Sequence, residues 1–175
     1  YVTDYDVHQI SARAPIAPDE VGPPAAGVRW VDVDGVHDAE VVHVICHALG
    51  VHPLAMEDVL NPATRPKGDD YGDTLFVAAK VARIVDDALQ LEQITLVLGP
   101  SYVLTFQERP SDVFDAVRQR MQASRARVRR SGADYLFYSL IDAIVDTYFD
   151  ALEHIEERVE QLEDEALQSQ APALP

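Results

Sequence analysis

The sequence predicts an α/β protein, an α/β/α sandwich around a mixed, partly antiparallel sheet, followed by a long acidic stalk-type helix. Three observations carry this. Between residues 74 and 107, apolar runs are separated by the turn signals Asp86-Asp87 and Gly99-Pro100, the pattern of an antiparallel meander. Helical periodicity precedes those runs and resumes after them. From Ser131 to about Gln168 helical periodicity persists with no Gly or Pro beyond Gly132, and at about 1.5 Å per residue such a helix reaches roughly 50 Å, more than a compact domain requires.

Taken in order, Val2 to Ile10 and Val28 to Val33 read as extended segments, separated by a loop holding Pro15, Pro18, Pro23 and Pro24. Asp38 is a good N-cap for a helix whose core face is Val41, Ile45, Ala48 and Leu49, stopped at Gly50. Pro53 opens a short helix to about Leu60, and Asn61-Pro62 closes it because proline cannot donate the next helical hydrogen bond. Strands follow at Leu75 to Val85, Leu89 to Leu98 and Tyr102 to Gln107. Ser111 is positioned to cap a helix carrying Phe114, Val117 and Met121. Six arginines and no acid lie between Arg118 and Arg130, after which Ser131 and Asp134 form a capping-box pattern for the long helix. The expected division is 1–131 for the α/β domain, 132–170 for the long helix and 171–175 for a tail.

The 175-residue chain carries 14 Lys and Arg against 30 Asp and Glu, a net charge of −16. That balance disfavours nucleic acid and anionic lipid as partners and favours cations. The single cysteine, Cys46, excludes an internal disulfide and fits a reducing compartment. Lys80 and Arg83 interrupt the richest apolar run, so no stretch of this chain reads as a membrane span. An opening Tyr1 and an Ala/Pro-rich end read as a fragment of something longer. There is no Walker loop, dinucleotide glycine fingerprint, nucleophile elbow or HExxH, so the reading is of a protein that is not an enzyme and takes no organic cofactor.

Along the long helix, Ile141, Ile144, Tyr148, Leu152, Ile155, Val159, Leu162 and Ala166 make one seam that needs a partner. Eleven acids stand against Arg158 alone, and Asp142, Asp146, Asp150, Glu153, Glu157, Glu160 and Asp164 form a stripe of like charge. Such spacing costs a helix a few tenths of a kcal/mol per pair, so the stripe is either well solvated or compensated by arginines or cations. The adjacent carboxylates Glu57 and Asp58, followed by Arg65 and Lys67, suit local ion pairing; they also suit hard cations, which need only one or two carboxylates and keep several waters. His43 and His47 fall on the solvent face of their helix, with Cys46 a turn from His43, and lack a third clear ligand. Asp32-Val33-Asp34-Gly35 fails the EF-hand spacing and reads as a strand end and turn.

Several stretches in one order resemble the CorA family of magnesium/cobalt transporters, in its N-terminal cytosolic domain. They are Gly50-Val51-His52-Pro53-Leu54 through Glu57-Asp58-Val59-Leu60-Asn61, Arg65-Pro66-Lys67, Glu92-Gln93-Ile94-Thr95-Leu96-Val97-Leu98 and Val103-Leu104-Thr105-Phe106-Gln107-Glu108. The run Asp112-Val113-Phe114-Asp115-Ala116-Val117-Arg118 and then Ala133-Asp134-Tyr135-Leu136-Phe137-Tyr138-Ser139-Leu140-Ile141-Asp142-Ala143 strengthens it. The resemblance spans roughly residues 28 to 168. It implies the cytoplasmic part of an integral inner-membrane protein, a homopentamer when complete and a monomer or dimer as a fragment, touching the membrane only through later helices. It further implies Mg²⁺ or another divalent cation (Co²⁺, Ni²⁺ or Zn²⁺) as regulatory ligand. Asp58 and Glu57 match carboxylates of regulatory sites between protomers, Asp142 matches an accessory site, and Asp146 is a weaker candidate nearby. The competing expectation is a free-standing metal-binding or scaffold protein that oligomerises through its acidic helix.

Overall fold

The computed structural model describes residues 1–14, 16–123 and 126–169, excluding the side chains of 168 and 169; Pro15, Arg125 and the expected 171–175 tail lie outside them. The N-terminal segment is not the single extended run expected but a hairpin, β1 (Val2–Tyr5) pairing antiparallel with β2 (Ile10–Arg13). Asp6 makes the turn: its carboxylate accepts the His8 and Gln9 backbone N–H groups at 2.7 and 2.8 Å, a local bond that competes with strand continuation. β3 (Val28–Asp34) is entered through Gly27 at φ 72°, where a Cβ would lie 2.4 Å from the Tyr5 carbonyl oxygen. Glycine is required there both for the left-handed backbone and for the close approach.

Asp38 caps α1 (Ala39–Ala48) by accepting from the Glu40 and Val41 N–H groups at 3.1 and 3.3 Å. Replacing Asp38 with alanine is expected to cost about 1 kcal/mol in thermal or urea unfolding, the usual value of a lost cap. The buried face of α1 is Val42, Ile45, Cys46 and Leu49; Val41 is only half-buried and Ala48 is exposed, a rotation from the expected face. The helix packs on the Pro18–Glu20 3-10 turn and the next helix as well as on the sheet, so no one neighbour dictates its face. α2 (Pro53–Leu60) has the expected limits, with His52 Nδ1 accepting the Leu54 N–H at 3.2 Å.

β4 (Lys67–Asp70) was not foreseeable from pattern, because Lys-Gly-Asp-Asp has no apolar alternation. It is an edge strand held by backbone pairing to β5 (Leu75–Val85), and its charges suit an edge. β5 pairs with β6 (Ala88–Leu98) through the two-residue turn Asp86-Asp87, both at positive φ (50° and 64°), the hairpin geometry that aspartate tolerates. β7 (Tyr102–Gln107) is buried throughout. α3 (Asp115–Gln122) starts after Phe114 without a side-chain cap; the expected cap, Ser111, instead donates to Gln107 Oε1 at 2.5 Å. α4 (Ala133–Ser169) begins one residue too late for Ser131 to cap it.

Among the described residues seven strands form one sheet in the order β2-β1-β3-β7-β6-β5-β4, with β3 and β7 parallel and the other pairs antiparallel. Successive residues alternate between its faces: Val31, Leu104 and Phe106 pack under α1 and α2, whereas Trp30, Val103 and Leu96 pack under α3 and α4. Both faces are covered, which is why the central strands read as continuous apolar runs. α4 has two halves. Leu136, Leu140, Ala143, Ile144 and Ala151 are buried against the sheet; beyond Ala151 no described side chain is buried, and Leu152, Ile155, Val159 and Leu162 of the predicted seam are exposed. Among the described residues no helix is long and apolar enough to cross a membrane.

Candidate functional site

The two α2 carboxylates are presented by an anchored helix end. Ala55 and Val59 are buried, so Glu57 faces solvent and Asp58 lies at the rim of the core with its side chain 21% exposed. The carbonyl groups that every helix leaves unpaired at its C-terminus are satisfied from the sheet. Gln93 on β6 donates through Nε2 to the Asn61 carbonyl at 2.9 Å and to that of Asp58 at 3.4 Å, and Thr64 Oγ1 donates to the Asp58 carbonyl at 3.4 Å. Lys80 Nζ in turn donates to Gln93 Oε1 at 3.3 Å and to the Pro62 carbonyl at 3.2 Å.

The local ion pairing considered for Asp58 is present, and its partner is Lys67 rather than Arg65. Lys67 Nζ lies 2.6 Å from Asp58 Oδ2 and 2.9 Å from Asp69 Oδ2, with the ammonium 5.7 Å from the centre of the Phe76 ring. Hydrogen bonds to Asp58, and then to Asp69, hold the Lys67 ammonium above the usual lysine range.

Asp142 and Asp146 lie on α4, Asp142 half-buried and Asp146 exposed. α2 packs on one face of the sheet and α4 on the other, so a single copy does not bring Glu57 and Asp58 together with Asp142 and Asp146. Among the described residues no group of three or more His, Cys, Asp or Glu side chains could by itself hold a metal ion. Each carboxylate set is an oxygen-only, partial coordination sphere, which fits a hydrated hard cation such as Mg²⁺ if further ligands come from another copy. The softer alternative does not assemble. His43 and His47 are exposed, His43 Nδ1 lies 2.6 Å from the Ala39 carbonyl, and Cys46 is fully buried with its thiol pushed up to about 12 by that burial.

A second polar centre escaped the sequence reading. Asp32, 3% exposed, accepts from Thr105 Oγ1 at 2.5 Å and from Gln107 Nε2 at 3.1 Å, and pairs with Arg118, which also binds Asp115 at 2.6 Å. Gln107 Nε2 also reaches Asp34 at 3.2 Å, whose carboxyl is raised above the usual range by burial and then by the like charge of Asp32. Its one signal in the sequence is an aspartate in β3 on the same alternation as the inward-facing Val28 and Trp30. The network fastens α3 to β3 and β7, and so sets the floor on which α4 rests.

The fold and motifs agree with known proteins. The family model described as "CorA-like Mg2+ transporter protein" matches residues 25–174. The cobalt/magnesium transport protein CorA of Thermotoga maritima is 41% identical over 141 residues, a match covering 79% of this chain and 40% of that protein. The soluble domain of CorA from Methanocaldococcus jannaschii superposes with a TM-score of 0.74 at 15% identity, covering 96% of this chain and 65% of that one. The ZntB cytoplasmic domain from Vibrio parahaemolyticus gives 0.68 at 13% identity, covering 91% and 63%. The present chain thus spans about 40% of the length of its Thermotoga relative. A family match running from before β3 through α4, with a relative of that identity, shows that the chain belongs to the CorA-like Mg²⁺ transporter family.

Proposed function

We propose that this chain is the cytosolic metal-sensing and gating domain of a CorA-type divalent-cation transporter, assembled as a homopentamer in the cell membrane. In this reading Glu57 and Asp58 supply oxygen ligands to regulatory cations held between neighbouring copies, Asp142, with Asp146, supplies those of an accessory site, and bridging favours the closed state. One observation carries it. The α2 and α4 carboxylates lie on opposite layers of the fold, each set too small to complete a site alone. The relative's name supports Mg²⁺ or Co²⁺ as the transported ion, and the oxygen-only ligands suit Mg²⁺ as regulator.

The energetics are adequate. Facing carboxylates about 4 Å apart repel by roughly 4 kcal/mol at an effective dielectric near 20, and a bound divalent cation reverses that sign. Five such sites, each at about ten times its dissociation constant, contribute roughly 1.4 kcal/mol apiece and about 7 kcal/mol together. Swinging a two-state equilibrium from 1:99 to 99:1 takes about 5.5 kcal/mol, so individually weak sites suffice. Replacing Asp58 and Asp142 together with alanine in the full-length protein is expected to abolish most of the inhibition of uptake by internal Mg²⁺, measured as flux into vesicles loaded at stepped concentrations. Wild-type inhibition in that variant would refute the assignment.

A further inference from the structure

Asp58 is not a free carboxylate waiting for an ion. Strand β4 pairs with β5 in the register Lys67 to Ala78 and Asp69 to Phe76, which places Lys67 and Asp69 two residues apart on the same face of the edge strand. That face meets the C-terminal end of α2, and the ammonium lies between the two carboxylates, 2.6 Å from Asp58 and 2.9 Å from Asp69. The ammonium lies 5.7 Å from the centre of the Phe76 ring, and α2 is itself tied to β6 through Gln93. Neither partner is therefore free to drift away, and the pair is a product of tertiary packing rather than a chance surface encounter.

We infer that Lys67 is a tethered counter-ion that competes with divalent cations for Asp58 and so sets the concentration at which this family's cytosolic domain responds to them. This rests on the reading above, in which Asp58 is a cation ligand. A single positive charge held between two acids leaves a net charge of −1, so the locality still attracts a divalent ion. An incoming ion that coordinates Asp58 meets the like charge of the ammonium 2.6 Å from Oδ2, so the two cations compete for the one carboxylate by mutual repulsion. Asp69 is what makes the exchange possible: it keeps Lys67 paired after Asp58 is surrendered, so no charge is stranded. Lys67 and Asp58 retain 37% and 21% side-chain exposure, so solvent screens their attraction. Exposed ion pairs of this kind change an equilibrium by up to about fivefold, which is the shift expected here.

The test uses the full-length protein, with the Mg²⁺ concentration that half-protects it from limited proteolysis as readout and thermal unfolding in EDTA as a check on folding. Lys67→Met keeps an unbranched side chain and removes the charge; it is expected to lower the midpoint roughly fivefold. Asp69→Asn removes the alternative partner, binds Lys67 more tightly to Asp58 and is expected to raise the midpoint, an effect that should vanish in the Lys67→Met background. Asp58→Asn should weaken protection and make it insensitive to Lys67→Met. If Asp58→Asn weakens protection while Lys67→Met leaves the midpoint unchanged or raises it, the competition is overturned and Asp58 stands as a ligand. If Asp58→Asn leaves protection at the wild-type level, Asp58 is not a ligand and both readings fall. Should Lys67→Met not fold, an Asp69→Asn midpoint at or below wild type overturns the competition on its own.

Discussion

Replacing Phe114 with alanine is expected to lower the free energy of unfolding by about 4 kcal/mol, within the usual range for a fully buried aromatic. Phe114 is 0% exposed and meets Trp30 edge to face, with ring centres 5.7 Å apart and an interplanar angle of 76°. It sits at the start of α3, so its ring fastens that helix to the sheet at the point where no side-chain cap does so. Truncation removes both the apolar area and the ring pairing, and the neighbours are too rigidly packed to close the void. Trp30 is the single tryptophan of the chain, and its fluorescence through a urea titration reports the transition directly. Phe114→Leu keeps most of the volume and should cost less than about 1.5 kcal/mol. Equal losses from the two variants would argue against cavity formation as the cause.

Arg118→Met is expected to destabilise the fold by about 3 kcal/mol, because it leaves the buried Asp32 carboxylate without its cation. Thr105 and Gln107 still donate to Asp32, and Arg118 is 30% exposed, so the loss belongs at the lower end of the range for a broken buried pair. Arg118→Lys restores a charge but cannot span Asp32 and Asp115 with two separate nitrogens, and should recover only part of the loss. The guanidinium also lies 5.2 Å from the Trp30 ring centre, so this variant and Phe114→Ala act on a shared neighbour. Their combined effect should depart from the sum of the single losses by more than about 0.5 kcal/mol, the tolerance for independent sites, and strict additivity would show that Trp30 does not couple them. A loss below about 1 kcal/mol for Arg118→Met would mean that the two neutral donors suffice for Asp32.

Much of the candidate site was legible one element at a time. The limits of α2, the adjacency of Glu57 and Asp58 and the possibility of a local partner at Lys67 all follow from Pro53, Asn61-Pro62 and short-range charge spacing. The family resemblance pointed to Asp142 by matching the run around Ala133-Asp134-Tyr135, not by any periodicity. Which acids share a neighbourhood was not legible, since that depends on the sheet separating α2 from α4. Nor was the choice of Lys67 over Arg65, which is made by the register of β4 on β5.

By itself the sequence determined the fold class, the positions of the Asp86-Asp87 and Gly50 reversals, the extent of α2 and α4, and membership of a recognisable family. Those features rest on rules that act within a few residues: proline's missing donor, aspartate's capping oxygen, and the periods of helix and strand. Tertiary structure alone decided the buried face of α1, the existence of β4 and the pairing of Asp32 with Arg118, 86 residues away. The physical reason is common to all of them. A polar edge strand, a buried charge and the inward face of a helix are each fixed only by what another element sets against them, through hydrogen bonds or packing that the segment cannot supply itself.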